Sequence, residues 1–212
     1  MDETELRPAA PRIPPVPLPE WPAQMRQALA VLHPPNPRHP PTERRPGDPK
    51  GLNVLGTLAH HPELAQAFNT FNGHVLSATT LTGRQRELIV LRIAAVRGCE
   101  YEWVQHAILA DKVGLDAADV DRIAVGRAAP GWSDLERALV VAVDELLVDA
   151  RVGDATWAVL SAELDQRQFL DLIFTVGAYD VIAMMLLACR TELDEDLAAR
   201  RSSGGPGSVA GG

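Results

Sequence analysis

The 212-residue chain is poor in the features that mark several specialised classes of protein. It has two cysteines, Cys99 and Cys189, too few for a disulfide-stapled secreted scaffold and suited to a reducing compartment. Only Lys50 and Lys112 are lysine among 20 basic residues, a bias that points to a GC-rich bacterial genome and says nothing of mechanism. The basic residues form no dense cluster and the formal charge is −8. Binding to a phosphate backbone therefore has little electrostatic support, and no nucleic-acid partner is expected. The longest strongly apolar run, residues 181–189, is far short of the roughly 20 residues that cross a bilayer, so no membrane partner is expected either. The acidic start, Met1-Asp2-Glu3-Thr4-Glu5, lacks the basic and apolar regions of a secretory signal and sets a cytoplasmic location as the expectation. A Gly-rich phosphate loop and a Gly-x-Ser-x-Gly elbow are both missing, which leaves nucleotide-dependent and serine-hydrolase chemistry without support.

Proline, by contrast, is abundant and unevenly placed: 14 of the 17 fall in the first 50 residues. Proline removes a backbone donor and restricts the residue before it, so this segment cannot be mostly helix. Residues 1–48 read as an arm wrapping the surface, with one short helix within 21–32. Residues 200–212, built from 202 onward of glycine, serine, proline and small residues, read as a disordered tail. Between these ends apolar residues recur at three and four positions with no sustained alternation, so the domain at 49–199 is all-α, with about eight helices. Helices are expected over 52–59, 62–76, 87–96, 99–113, 116–125, 133–149, 154–164 and 166–189. Thr82-Gly83-Arg84-Gln85 and Ser133-Asp134-Leu135-Glu136 have capping-box form.

The chemistry concentrates in Gly98-Cys99-Glu100-Tyr101-Glu102-Trp103-Val104-Gln105-His106, with Glu87 upstream. If Cys99 opens a helix, residues 99, 102 and 106 lie within about 60° of one another. Three reactive groups would then share a face. A thiolate at Cys99 is favoured by a helix N-terminus and opposed by Glu100 and Glu102, and a small buried hydrophobe is the commoner fate of a free cysteine. Glu102 and His106 stand one turn apart, so the carboxylate can hold the imidazole as an acid/base pair, although many ordinary ion pairs share that spacing. Glu87 lies in an apolar helix where a lone carboxylate is costly, so it is expected to meet Arg84, Arg86 or the motif. A structural salt bridge would serve as well as catalysis there. Glu102, His106 and some of His60, His61 and His74 could converge on a metal, but no two-histidine zinc spacing occurs, so no metal is expected.

Residues 81–125 resemble the carboxymuconolactone decarboxylase superfamily, which also contains alkylhydroperoxidase D. The peroxidase branch carries Glu, eleven residues, Cys-x-x-Cys, three residues, His. Glu87, Cys99 and His106 match that spacing, while Glu102 stands at the second cysteine. Asp144-Glu145-Leu146, Asp154-Ala155-Thr156-Trp157 and Gly177-Ala178-Tyr179 extend the resemblance over roughly residues 50–190. The resemblance implies a helical bundle assembled as a homo-oligomer, trimer or hexamer, with a dimer also open. It implies cofactor-independent acid/base chemistry (decarboxylation, isomerisation or elimination) on a small organic acid or lactone. Glu102, His106, Glu87 and Cys99 are the candidate catalytic residues. Arg84, Tyr101 and Trp103 are the candidate substrate-binding residues, Arg84 for a carboxylate. With Glu102 in place of the second cysteine, an intramolecular dithiol cycle has no partner. Thiol-dependent hydroperoxide reduction through Cys99 alone, or a non-catalytic oligomer binding a ligand through the same pocket, are the alternatives.

Overall fold

Helix α4 (Gly83–Arg97) is the axis of the molecule, and its sequence explains why. Leu88, Ile89, Val90, Leu91, Ile93 and Ala94 are all fully buried, so the helix is apolar on every side and has to be enclosed. Its neighbours are α5 (Glu100–Ala110), α6 (Ala117–Val125), α7 (Asp134–Asp149) and α9 (Gln166–Cys189). They contribute Trp103, Ile123, Leu139, Val143, Leu172 and Val176 to one core. Two arginines of α4 reach out of that core to fix its partners. Arg92 grips Asp144 of α7 through two bonds of 2.6 and 3.0 Å, and Arg97 grips Asp180 of α9 at 2.5 and 3.0 Å. Such forked, partly buried pairs set orientation as well as charge balance.

The structure, a computed structural model, describes residues 10–39 and 45–198. Among the described residues there are ten α-helices and no strand, the all-α architecture expected. Both expected capping boxes are present, at Thr82/Gln85 and Ser133/Glu136, with two more at Asp116/Asp119 and Asp165/Gln168. Several boundaries differ: α4 starts at Gly83, against an expected start at 87, and the helix expected over 99–113 is α5 followed by a 3₁₀ turn, Asp111–Val113. The helix expected over 62–76 ends earlier, as α3 (Pro62–Gly73), and passes into a π-helical turn, His74–Ala78. Helix α9 is long and apolar enough to cross a bilayer by length and composition, which the count of its longest apolar run did not register. Of its most apolar window 44% is buried inside the fold, and its Asp171 and Asp180 are both bonded to neighbouring elements.

The proline-rich segment lies against the bundle. Arg12 N–H donates to the Cys189 carbonyl at 2.8 Å, and Val16 N–H to that of Gly56 at 3.0 Å. Its one short helix, α1 (Met25–Ala30), falls inside the expected window and buries Met25 and Ala28 against Ala59, near the end of α2 (Leu52–Leu58), and Ala65 of α3. Asn69 of α3 caps that contact by donating to the Ala28 carbonyl at 2.8 Å. The approach is close enough to require glycine. A Cβ on Gly73 would stand 2.5 Å from the Val31 carbonyl oxygen, and one on Gly56 2.7 Å from that of Val16. The tail expected to be disordered, 200–212, lies outside the described residues.

Candidate active site

The turn between α4 and α5 builds the site. Gly98 takes the left-handed conformation (φ 63°) that closes α4. Its N–H donates to the Ala95 carbonyl at 3.3 Å and the Cys99 N–H to that of Ala94 at 2.9 Å, a Schellman closure. Helix α5 then folds back along α4, and His106, two turns into α5, comes beside Glu87. His106 Nδ1 lies 2.6 Å from Glu87 Oε2. A carboxylate partner assigns the proton to Nδ1 and leaves Nε2 as the acceptor. The edge-to-face ring of Tyr179, from α9, sits 5.1 Å from the imidazole and fixes its plane.

Glu87 is only 2% exposed, and its charge is held from both sides. Arg86 Nε and Nη2 donate to Oε1 at 3.3 and 3.2 Å. Burial raises the proton affinity of this carboxyl, but His106 and Arg86 together bring it below the ordinary carboxylate value. Arg86 is itself anchored, its Nη1 donating at 2.6 Å to the Leu76 carbonyl of the π-helical turn. The π turn, an irregularity often retained where function needs it, thus begins a chain running Leu76, Arg86, Glu87, His106.

Glu102 has the opposite environment. It is 3% exposed, and neither carboxyl oxygen has a hydrogen-bond partner among the described residues. Burial pushes its pKa up to about 8; the nearby Cys99 thiol offsets part of that shift, short of hydrogen-bond geometry, and the charge of Asp180 adds to it. Two carboxyls within one site are therefore separated by environment, Glu87 ionised and Glu102 protonated at neutral pH. Glu102 and His106 both line a cavity of about 250 Å³. Its wall includes Leu109 of α5, Ile182 of α9, Phe68 of α3 and Leu55 of α2, together with Leu32 of the proline-rich segment and the adjoining Pro49.

The structure separates the other candidates. Cys99 is the N-cap of α5, with non-helical ψ of 89°, and its thiol lies beside Glu102. It lines a different pocket, near Arg190 and Thr191, and is 1% exposed. Burial, reinforced by Glu102, pushes its thiol well above the ordinary value. The partner of His106 is Glu87, where the one-turn spacing had pointed to Glu102. Arg84 does not reach the cavity. It lies in the first turn of α4, paired with Asp119 at 3.0 Å and Glu136 at 2.8 Å and bonded to the Gly114 carbonyl. Tyr101 does line the cavity, its hydroxyl donating to Asp194 at 3.1 Å, whereas Trp103 belongs to the main core. Sequence reasoning did not assign site roles to Tyr179, Arg86, Asn72 or Gln105. The first two had a signal, Tyr179 in the resemblance and Arg86 as one of Glu87's possible partners; Asn72 had none. Among the described residues no cluster of three or more His, Cys, Asp or Glu is arranged to hold a metal.

Residues 62–145 match the family model described as the carboxymuconolactone decarboxylase family. No curated protein matches the chain. Among solved structures, a peroxidase-related protein with an alkylhydroperoxidase AhpD core, from Ralstonia eutropha JMP134, is similar at TM-score 0.67 and 22% identity, over 89% of this chain and 96% of that one. The apo debrominase Bmp8 gives TM-score 0.67 at 13% identity, over 89% and 95% of the two chains. A cysteine-to-alanine variant of that debrominase, in complex with 2,3,4-tribromopyrrole, gives 0.66 at 13% over 91% and 97%. At these identities the structural likeness shows the fold, and the matched family, which includes enzymes, spans the helices that carry Glu87, Glu102 and His106. Over residues 62–145 the chain is similar to the carboxymuconolactone decarboxylase family, and its fold is the alkylhydroperoxidase D-like fold.

Proposed function

We propose that this protein is a cofactor-independent enzyme that moves protons on a small organic carbonyl compound, an acid or lactone, leading to isomerisation, elimination or decarboxylation. The observation that carries this reading is the buried, unpartnered Glu102 carboxyl beside a histidine already oriented by Glu87, both opening on one apolar cavity. His106 Nε2 takes a proton from carbon next to the carbonyl. Glu102, protonated at neutral pH, delivers one to the oxygen or carbon where charge develops. Glu87 stabilises the imidazolium formed in the first step, and the apolar wall strengthens each of these interactions by excluding water. The cavity, about 250 Å³, is below the roughly 300–1,000 Å³ of drug-sized sites and suits a small substrate. The small halogenated ring bound by the debrominase variant is in keeping with that size.

Thiol chemistry receives less support from the same geometry, since a buried cysteine with a raised pKa and a neighbouring carboxyl is a weak nucleophile. The test is a panel of small lactones, keto acids and unsaturated acids incubated with purified protein in deuterated water and followed by NMR for exchange or conversion. Turnover by the wild type that disappears in both Glu102→Gln and His106→Gln, each with an unchanged fold by circular dichroism, is expected. Activity persisting in the double variant refutes the assignment. Consumption of peroxide that depends on Cys99 would replace it with the peroxidase reading.

A further inference from the structure

Three residues lining the cavity carry buried polar atoms that no group among the described residues pairs in good hydrogen-bond geometry: both carboxyl oxygens of Glu102, with the Cys99 thiol nearby, Gln105 Nε2, with the Tyr101 side chain nearby, and Asn72 Oδ1. Buried polar atoms are almost always paired, and leaving one unpaired costs about 1–3 kcal/mol. Three such residues on one cavity wall therefore mark where a ligand completes the bonding. Their chemistry is specific. The Gln105 amide N–H₂ can only donate, so it asks for an acceptor such as a carbonyl oxygen. Asn72 Oδ1 can only accept, so it asks for an O–H or N–H. The cations on the wall are Lys50, whose ammonium faces Asp196 at 3.7 Å, and His106 when protonated. The rest of the lining is largely aliphatic and aromatic.

We infer that the ligand is a neutral, compact ring or short chain that presents a carbonyl oxygen to Gln105 and an adjacent O–H or N–H to Asn72, with its apolar body against Leu55, Phe68 and Ile182. Asn72 and Gln105 are specificity-determining residues: Asn72 reads the donor and Gln105 the carbonyl. A lactone, which offers acceptors alone, leaves Asn72 Oδ1 unsatisfied. A hydroxylated lactone, an enol or a lactam does not. This rests on the proposed function only in taking the cavity as the site of binding, and it deepens that reading by narrowing the substrate class.

The isosteric probes 2-pyrrolidinone and γ-butyrolactone differ in one ring position, N–H against O, and test the point directly. Binding of each to the full chain is titrated by NMR, following the resonances of the cavity residues, with no turnover required. The lactam is expected to bind about tenfold more tightly than the lactone. Asn72→Leu should abolish that difference, and Gln105→Leu should weaken both probes by a similar factor. If Asn72→Leu unfolds the protein, Asn72→Ser provides the second measurement, with the preference reduced. Equal affinity of the two probes in the wild type, a preference for the lactone, a preference that survives in the Asn72 variant, or no binding of either probe at tens of millimolar overturns the inference. Because turnover is not read, the outcomes stay separable. A lactam preference in a protein that turns nothing over would count against the enzymatic reading alone. Turnover dependent on Glu102 and His106, without the preference, would count against this inference alone.

Discussion

Replacing Glu102 by glutamine should change how stability depends on pH, and the size of the change follows from burial. In the unfolded chain this carboxyl titrates near its ordinary value of 4.5, and in the folded protein it does so at about 8. The folded state therefore holds a proton that the unfolded state has released throughout the interval between those values. Stability from this group is fully present below pH 4.5 and is lost as pH rises, until the folded carboxyl itself ionises near 8. At 1.36 kcal/mol for each pH unit, the loss across the window is on the order of 5 kcal/mol. In a domain of this size that corresponds to a fall of roughly 10–20 °C in Tm. Glu102→Gln keeps the shape and removes the titration, so the difference between variant and wild type isolates this one group from every other carboxyl and histidine. The assay is urea unfolding of both proteins at half-unit steps from about pH 5 to 9. The variant is expected to gain steadily on the wild type as pH increases, and the two to run parallel once above about 8.5. Parallel curves across the whole range would mean that Glu102 titrates normally, and both its burial and its role as an acid at neutral pH would be refuted.

Arg86→Met strips Glu87 of one of its two partners and should cost about 3 kcal/mol in urea unfolding. The double variant with Glu87→Gln should recover much of that loss, and simple additivity of the two changes would argue against the pair. Thiol labelling of the native protein should modify the half-buried Cys189 first. Cys99 should react only at the rate of unfolding, so fast labelling of Cys99 in the native state would contradict its burial. Gly73→Ala forces a Cβ to within 2.5 Å of the Val31 carbonyl and should destabilise the fold by about 1–3 kcal/mol. Hydrogen exchange should localise the loosening to α1; unchanged protection there would show that the contact is not maintained in solution.

The helices were legible because their ends are written locally. Thr82 and Ser133 open helices where their capping chemistry says, and Gly98 and Gly114 close them. The π-helical turn at 74–78 was not legible, because its cause is tertiary: the Leu76 carbonyl is turned toward Arg86 of another helix. Helical spacing correctly placed Glu102 and His106 on one wall. It missed the partner of His106, since Glu87 reaches it from a different helix. Asn72 and Gln105 were invisible for a related reason. An unpaired amide acquires meaning only when the surrounding chain fails to satisfy it.

The proline-rich segment changes how this site can diversify. The proton-handling groups are fixed by α4 and α5 and by ion pairs buried between helices, where almost any substitution also disturbs the core. Leu32 and Pro49 form part of the cavity wall from outside that framework, with the Leu32 backbone resting against Gly73 of α3. The reactive residues and this part of the pocket wall thus lie on parts of the chain that can vary independently, while Asn72 and Gln105 stay with the helices. Exchange of side chains at residues 32 and 49 offers a route to a different substrate range at constant chemistry.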